Sequence, residues 1–107
     1  MPITVPRGKS DEIIERMIET LRVYQADHPD ARIDLYRLNS VSVRIRIIDA
    51  GFAEQTRAER SRAVWRYLDA LDDDVQADIS ALILLAPDET QNSLMNLEFE
   101  DPSPLLL

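Results

Sequence analysis

Hydrophobic and polar positions along the chain fall into periodic blocks, and the best ordered lie between Val41 and Pro87. Val41, Val43, Ile45 and Ile47 alternate with Ser42, Arg44 and Arg46, the two-residue period of a half-buried strand, and Ile48 falls on its polar side. Asp49-Ala50-Gly51-Phe52 interrupts the alternation; Gly51 is one of only 2 glycines, which places a sharp turn there. Thr56, followed three residues later by Glu59, predicts a capping box. From Arg57 the period lengthens. Val64, Leu68 and Leu71 recur at helical spacing with Trp65 and Tyr67 on the flanks, predicting a helix packed by one face that ends in solvent at Asp72-Asp73-Asp74. Ile79 to Leu85 is apolar on both faces and suits a strand covered on both sides. Strand, helix, strand at this spacing implies a right-handed crossover and parallel pairing.

The flanks complete the pattern. Residues 1–9 read as a flexible arm. Ser10 is a candidate cap for a helix with Asp11 and Glu12 in its first turn and a stripe of Ile13, Ile14, Met17, Ile18 and Leu21. His28-Pro29 stops that helix, because the residue before a proline is pushed out of the α region. Ile33 and Leu35 alternate with Arg32 and Asp34 in a first strand, with a bulge near Tyr36, and Asn39-Ser40 turns it into Val41 as an antiparallel hairpin. Pro87 with Asp88 and Glu89 signals a last helix start, and Leu94, Met95 and Leu97 give that helix an apolar side. Residues 102–107 read as a tail ending in Leu105 to Leu107. The expectation is one α+β domain over residues 1–107, a two-layer α/β sandwich in the order α-β-β-α-β-α, with helices on one face of a three-stranded mixed sheet.

Composition narrows the function. The chain has no cysteine, which excludes disulfides, thiolate metal sites and a cysteine nucleophile. No stretch has the length of a membrane span or the apolar core of a secretory leader, so a soluble cytoplasmic protein is expected. The net charge of −8 is unevenly laid out: residues 32–66 carry 8 arginines against 4 acids, while residues 67–107 carry 10 acids and no Lys or Arg. A basic middle and an acidic last third are expected to neutralise each other.

One local register goes further. Phe52, Thr56, Arg60, Val64 and Leu68, followed by an apolar strand and Pro87-Asp88-Glu89, resemble the BolA-like family, whose fold is similar to the type II KH domain. The resemblance spans roughly residues 10–95, and its specific part is the register from Phe52 to Leu68. It implies a non-enzymatic regulatory domain that pairs with a glutaredoxin-like protein, in the family through a shared iron–sulfur cluster held by histidine. This chain departs where that histidine belongs: Ser61 follows Arg60, and Asp78 opens the third strand. The resemblance therefore implies the scaffold and a protein partner, with no cofactor and no bound metal.

Other chemistry is sparse. His28 is the only histidine and sits at a helix end, where an imidazole suits the dipole better than it suits catalysis. Asp72, Asp73, Asp74 and Asp78 lack the glycine and terminal glutamate of a calcium loop and read as a solvated segment. No nucleophile–base pair, P-loop or dinucleotide fingerprint is present, so no enzyme is expected. Arg44 and Arg46, joined by Arg32 from the first strand, are expected on an open sheet face; with Arg57 and Arg60 near the Gly51 turn they form the alternative reading, a nucleic-acid-binding KH-like module. The loop Gly51-Phe52-Ala53-Glu54 lacks the second glycine of a phosphate clamp, and a pI near 4.5 disfavours phosphate binding. Arg60 is equally suited to holding the Phe52 turn. Phe52, Ser61, Trp65 and Asp78 are the candidate partner-binding residues, and self-association as a homodimer is the other partner reading.

Overall fold

The computed structural model describes residues 3–6 and 10–102. Strand β1 (Ile3–Thr4) leads through helix α1 (Glu12–Asp27) to the hairpin of β2 (Arg32–Asn39) and β3 (Ser42–Ile48). A 3-10 turn (Ala50–Glu54), helix α2 (Arg57–Leu68) and helix α3 (Asp73–Ala77) follow, then β4 (Ile79–Leu85), a second 3-10 turn (Pro87–Glu89) and helix α4 (Leu94–Glu100). The result is a mixed α+β fold around one four-stranded sheet in the order β1-β2-β3-β4. β1 pairs parallel with β2, β2 antiparallel with β3, and β3 parallel with β4.

Caps and turns explain the boundaries. Asp11, not Ser10, caps α1 by accepting the Ile14 amide at 2.9 Å, while the Ser10 hydroxyl donates to Glu15. The capping box of α2 forms in both directions between Thr56 and Glu59. Asp49 caps the Gly51 turn by accepting the Gly51 amide at 2.9 Å. The hairpin turns at Ser40–Val41, so Val41 is 66% exposed and outside β3. The irregularity in β2 falls between Arg37 and Asn39, just after the Tyr36 expected to bulge.

The pleat sorts the sheet into two faces. Ile33, Leu35, Val43, Ile45 and Ile47 meet Ile14, Met17, Leu21, Tyr24, Val64 and Leu68 of α1 and α2 in the main core. Tyr36, Ile83 and Phe99 form a smaller cluster on the opposite face, under α4.

Three expectations are corrected here. The sheet has four strands, because Ile3 and Thr4, expected in a flexible arm, pair with Ile33 and Asp34. Helices cover both faces, since α4 crosses the second one. The acidic run at Asp72 to Asp74 is not a loop but the cap and first turn of α3, where carboxylates suit the helix dipole. Residues 1–2 and 7–9 of the expected arm, and residues 103–107 of the expected tail with its leucines, lie outside the described residues. No helix among the described residues is long and apolar enough to cross a membrane.

Candidate functional site

The sheet face expected to be an open arginine surface is closed. Arg44 and Arg46 are buried, at 8% and 2% exposure. Arg46 is the hub. Its Nη2 and Nε donate to the Asp34 carboxylate at 2.6 and 3.2 Å, and its Nη1 donates to Asn96 at 2.8 Å and to Glu100. Its guanidinium stands 4.5 Å from the centre of the Phe99 ring. Arg44 donates to the Glu98 carbonyl at 3.0 Å, and the Tyr36 hydroxyl to the Phe99 carbonyl at 2.7 Å. Thr4 donates to the same Asp34, and Arg32 joins it at 3.3 Å. Alternation had told which side of β3 these arginines occupy, but not that a helix would cover it. The helix is also turned over relative to expectation: Asn96 and Phe99 are buried, while Leu94, Met95 and Leu97 are 81%, 51% and 58% exposed. A sheet face rich in guanidinium groups selects the helix side that carries acceptors and a ring.

Arg60 is closed off as well. Its Nη1 and Nη2 donate to the two carboxylate oxygens of Glu89 at 2.6 and 2.9 Å. It also donates to the carbonyls of Gln55 and Leu84, and stands over the Phe52 ring at 5.6 Å. This bidentate bond, aided by the Ala86 amide, holds the Glu89 carboxyl down to about 2. Arg60 therefore ties the Phe52 turn to the end of β4. Phe52 itself is a core residue at 2% exposure, which corrects its placing as a partner contact. Of the five arginines of the nucleic-acid reading, Arg32 and Arg57 are exposed, and Arg32 is paired with Asp34.

The remaining candidates separate. Asp78 caps α3 and pairs with Arg37 at 3.1 Å. Ser61 and Trp65, both half-buried, face a groove of about 750 Å³ beside β4. Arg57, Ser61 and Trp65 of α2 form one wall, β4 from Leu82 to Leu85 the floor, and the segment from Asp88 to Met95 the other wall. The floor is a sheet edge, since β4 pairs only with β3 among the described residues. An edge strand is a template for a further strand, and Arg60 with Glu89 blunts one end of it. The apolar residues lining the groove are Trp65, Ile83 and the floor leucines, Leu94 and Met95.

A second cluster lies at the far side of α1. The Tyr24 hydroxyl donates to Asp49 at 2.8 Å, and its ring stacks on His28 with centroids 4.1 Å apart. Burial and then the Asp49 carboxylate push the Tyr24 phenol up, so it remains protonated and holds the Gly51 turn against α1. His28 Nδ1 lies 3.0 Å from the Tyr24 carbonyl, an end-of-helix contact.

Comparison with family models, curated proteins and solved structures returned no match to this chain. The groove is thus read from its own chemistry. It holds no nucleophile paired with a base, and no group of three or more His, Cys, Asp or Glu able to hold a metal occurs among the described residues. Ser61 and Asp78 offer oxygen donors, not the thiolate or imidazole that ordinarily holds the iron of an iron–sulfur cluster. Reading the sequence alone missed Glu89 as the partner of Arg60 and missed Asn96 and Phe99 as the cover of the second face. A signal existed for Glu89 in the Pro87-Asp88-Glu89 start motif; none existed for the other two.

Proposed function

We propose that this chain is a BolA-like, type II KH-like domain that works without a bound metal, by protein contact at the groove beside β4. What carries this reading is one juxtaposition: an open strand edge flanked by half-buried Trp65 on one side and by Leu94 and Met95 on the other. Main-chain groups on an edge give a second chain its alignment, and flanking apolar side chains give it affinity. The local register from Phe52 to Leu68 supports the family reading, as do the helix and hairpin that precede it. A glutaredoxin-like protein or a second copy are the partners that reading brings, and the cytoplasm is the compartment it suits.

The test pairs sedimentation of the purified protein with capture from host extract, using the native chain and a Leu94→Glu, Met95→Glu variant. Both side chains are exposed, so the variant keeps its fold. Loss of a captured or self-associated species in the variant is the expected result. A native chain that is monomeric and captures nothing specific overturns the proposal.

A further inference from the structure

We infer that the groove takes a second copy of this chain, joined through β4 about a twofold axis; this deepens the protein-contact reading and rests on it. The first observation is how much of the edge is open. In a strand the N–H and C=O of one residue point to the same side, and successive residues alternate. The Leu85 carbonyl accepts the Asp49 amide on the β3 side at 2.9 Å. The Leu84 carbonyl accepts Arg60 on the outer side at 3.0 Å, and the Ala86 amide donates to Glu89 at 2.8 Å. The Arg60–Glu89 pair thus occupies the edge from Leu84 onward, and the main chain of Leu82 faces outward before it. An incoming strand is confined to a short stretch centred on Leu82. Antiparallel pairing with Leu82 opposite the partner's Leu82 lets the two residues exchange both main-chain bonds.

The second observation is the wall above that edge. Arg57, Ser61, Trp65 and Asp69 recur every four residues and form one ridge along α2 and its C-cap. The ridge reads basic, small, large, acidic. Set antiparallel against its own copy about the midpoint of Ser61 and Trp65, it pairs Arg57 with the partner's Asp69 and seats each Trp65 beside the partner's Ser61. Arg57 and Asp69 are exposed, and neither belongs to a salt bridge among the described residues. Arg60 of α2 reaches the Leu84 carbonyl, so the ridge runs alongside the edge stretch that holds Leu82, and one axis can serve strand and helix together.

Charge favours this occupant too. Each chain carries −8, which opposes indiscriminate self-association. The charged residues lining the groove are Arg57, Arg60, Asp88 and Glu89, two of each sign, so the groove itself adds no net charge to that repulsion. On the opposite side of the sheet, Leu94 and Met95 flank the same seam.

The test is sedimentation velocity of the full chain over a concentration series, with Arg57→Asp, Asp69→Arg and the double exchange. An acid at the start of α2 and a base at its end both suit the helix dipole, so neither substitution threatens the fold. The expected result is a reversible dimer, weakened about tenfold or more by each single exchange and restored to within about threefold by the double one. Emission of Trp65, the only tryptophan, shifts with dilution over the same range. A strict monomer, or a dimer indifferent to the charge exchange, overturns the inference. A monomer that still captures a host protein, and loses it with Leu94→Glu and Met95→Glu, overturns the self-pairing and leaves the protein-contact reading standing. A monomer that captures nothing removes both.

Discussion

Under α1 and α2 the sheet presents Ile33, Leu35, Val43, Ile45 and Ile47, none of them with exposed surface. Under α4 the same strands present Asp34, Tyr36, Arg44 and Arg46, which are buried almost as deeply. The first face is held by apolar burial, which is large and non-directional. The second is held by directed bonds that converge on Arg46 and on two backbone carbonyls of α4. A helix of 7 residues has too little apolar surface to fix its own position, and its only core side chain against the sheet is Phe99. Directed bonds supply the missing specificity. The apolar face provides the stability and the polar face decides where the last helix lies.

Four variants separate those roles. Ile45→Ala on the apolar face is expected to cost about 4 kcal/mol, from lost transfer energy and the cavity left behind. Chemical denaturation measures it, and a loss under about 1 kcal/mol would mean that this face is not the principal core. Asp34→Ala on the polar face leaves Arg46 with Asn96 and Glu100 but without its buried counter-charge, and is expected to cost about 3 kcal/mol. Replacing the pair together, Asp34→Leu with Arg46→Met, is expected to come out near neutral or stabilising while α4 loses its register. Hydrogen exchange at α4 reads that loss; unchanged protection there would deny the positioning role of the arginine. Tyr36→Phe removes only the bond to the Phe99 carbonyl and is expected to cost about 1 kcal/mol, with faster exchange confined to α4.

The two faces were not equally legible. Alternation in β3 and helical spacing in α1 and α2 identified the main core, because one period and one apolar face suffice for it. The turn at Gly51 and the box at Thr56 and Glu59 were readable as local chemistry. Alternation states only that Arg44 and Arg46 leave that face. Whether they meet water depends on a helix fifty residues away whose buried side is Asn96 and Phe99, and an apolarity scan of Leu94, Met95 and Leu97 points to the wrong side. β1 is two residues long, too short for any period to show. The groove was half visible: Ser61 and Trp65 were candidates, but the edge beneath them follows from strand order.

The less deeply buried counterpart of the Asp34–Arg46 pair is Arg60–Glu89 at the edge, and it gives the smallest effect. The ordinary value for Glu89 is 4.5 and the folded one is about 2, lowered first by the bond from Arg60 and then by the Ala86 amide. A depressed carboxyl adds stability that is full above pH 4.5 and is lost as pH falls through about 2, where the folded chain must also take up the proton. Glu89→Gln keeps an acceptor for Arg60 and Ala86 but removes the charge. The stability difference between native chain and variant is therefore expected to be level from pH 7 to about 5 and to shrink steadily toward about 2. Because the Glu89 side chain is 40% exposed, solvent screening keeps that difference below about 1 kcal/mol. Other acids cancel in the subtraction, so urea midpoints of the two proteins across pH isolate this pair. A difference that stays level all the way down to about pH 2 would show that Glu89 is unpaired in solution, and that the edge of β4 is open beyond Leu84.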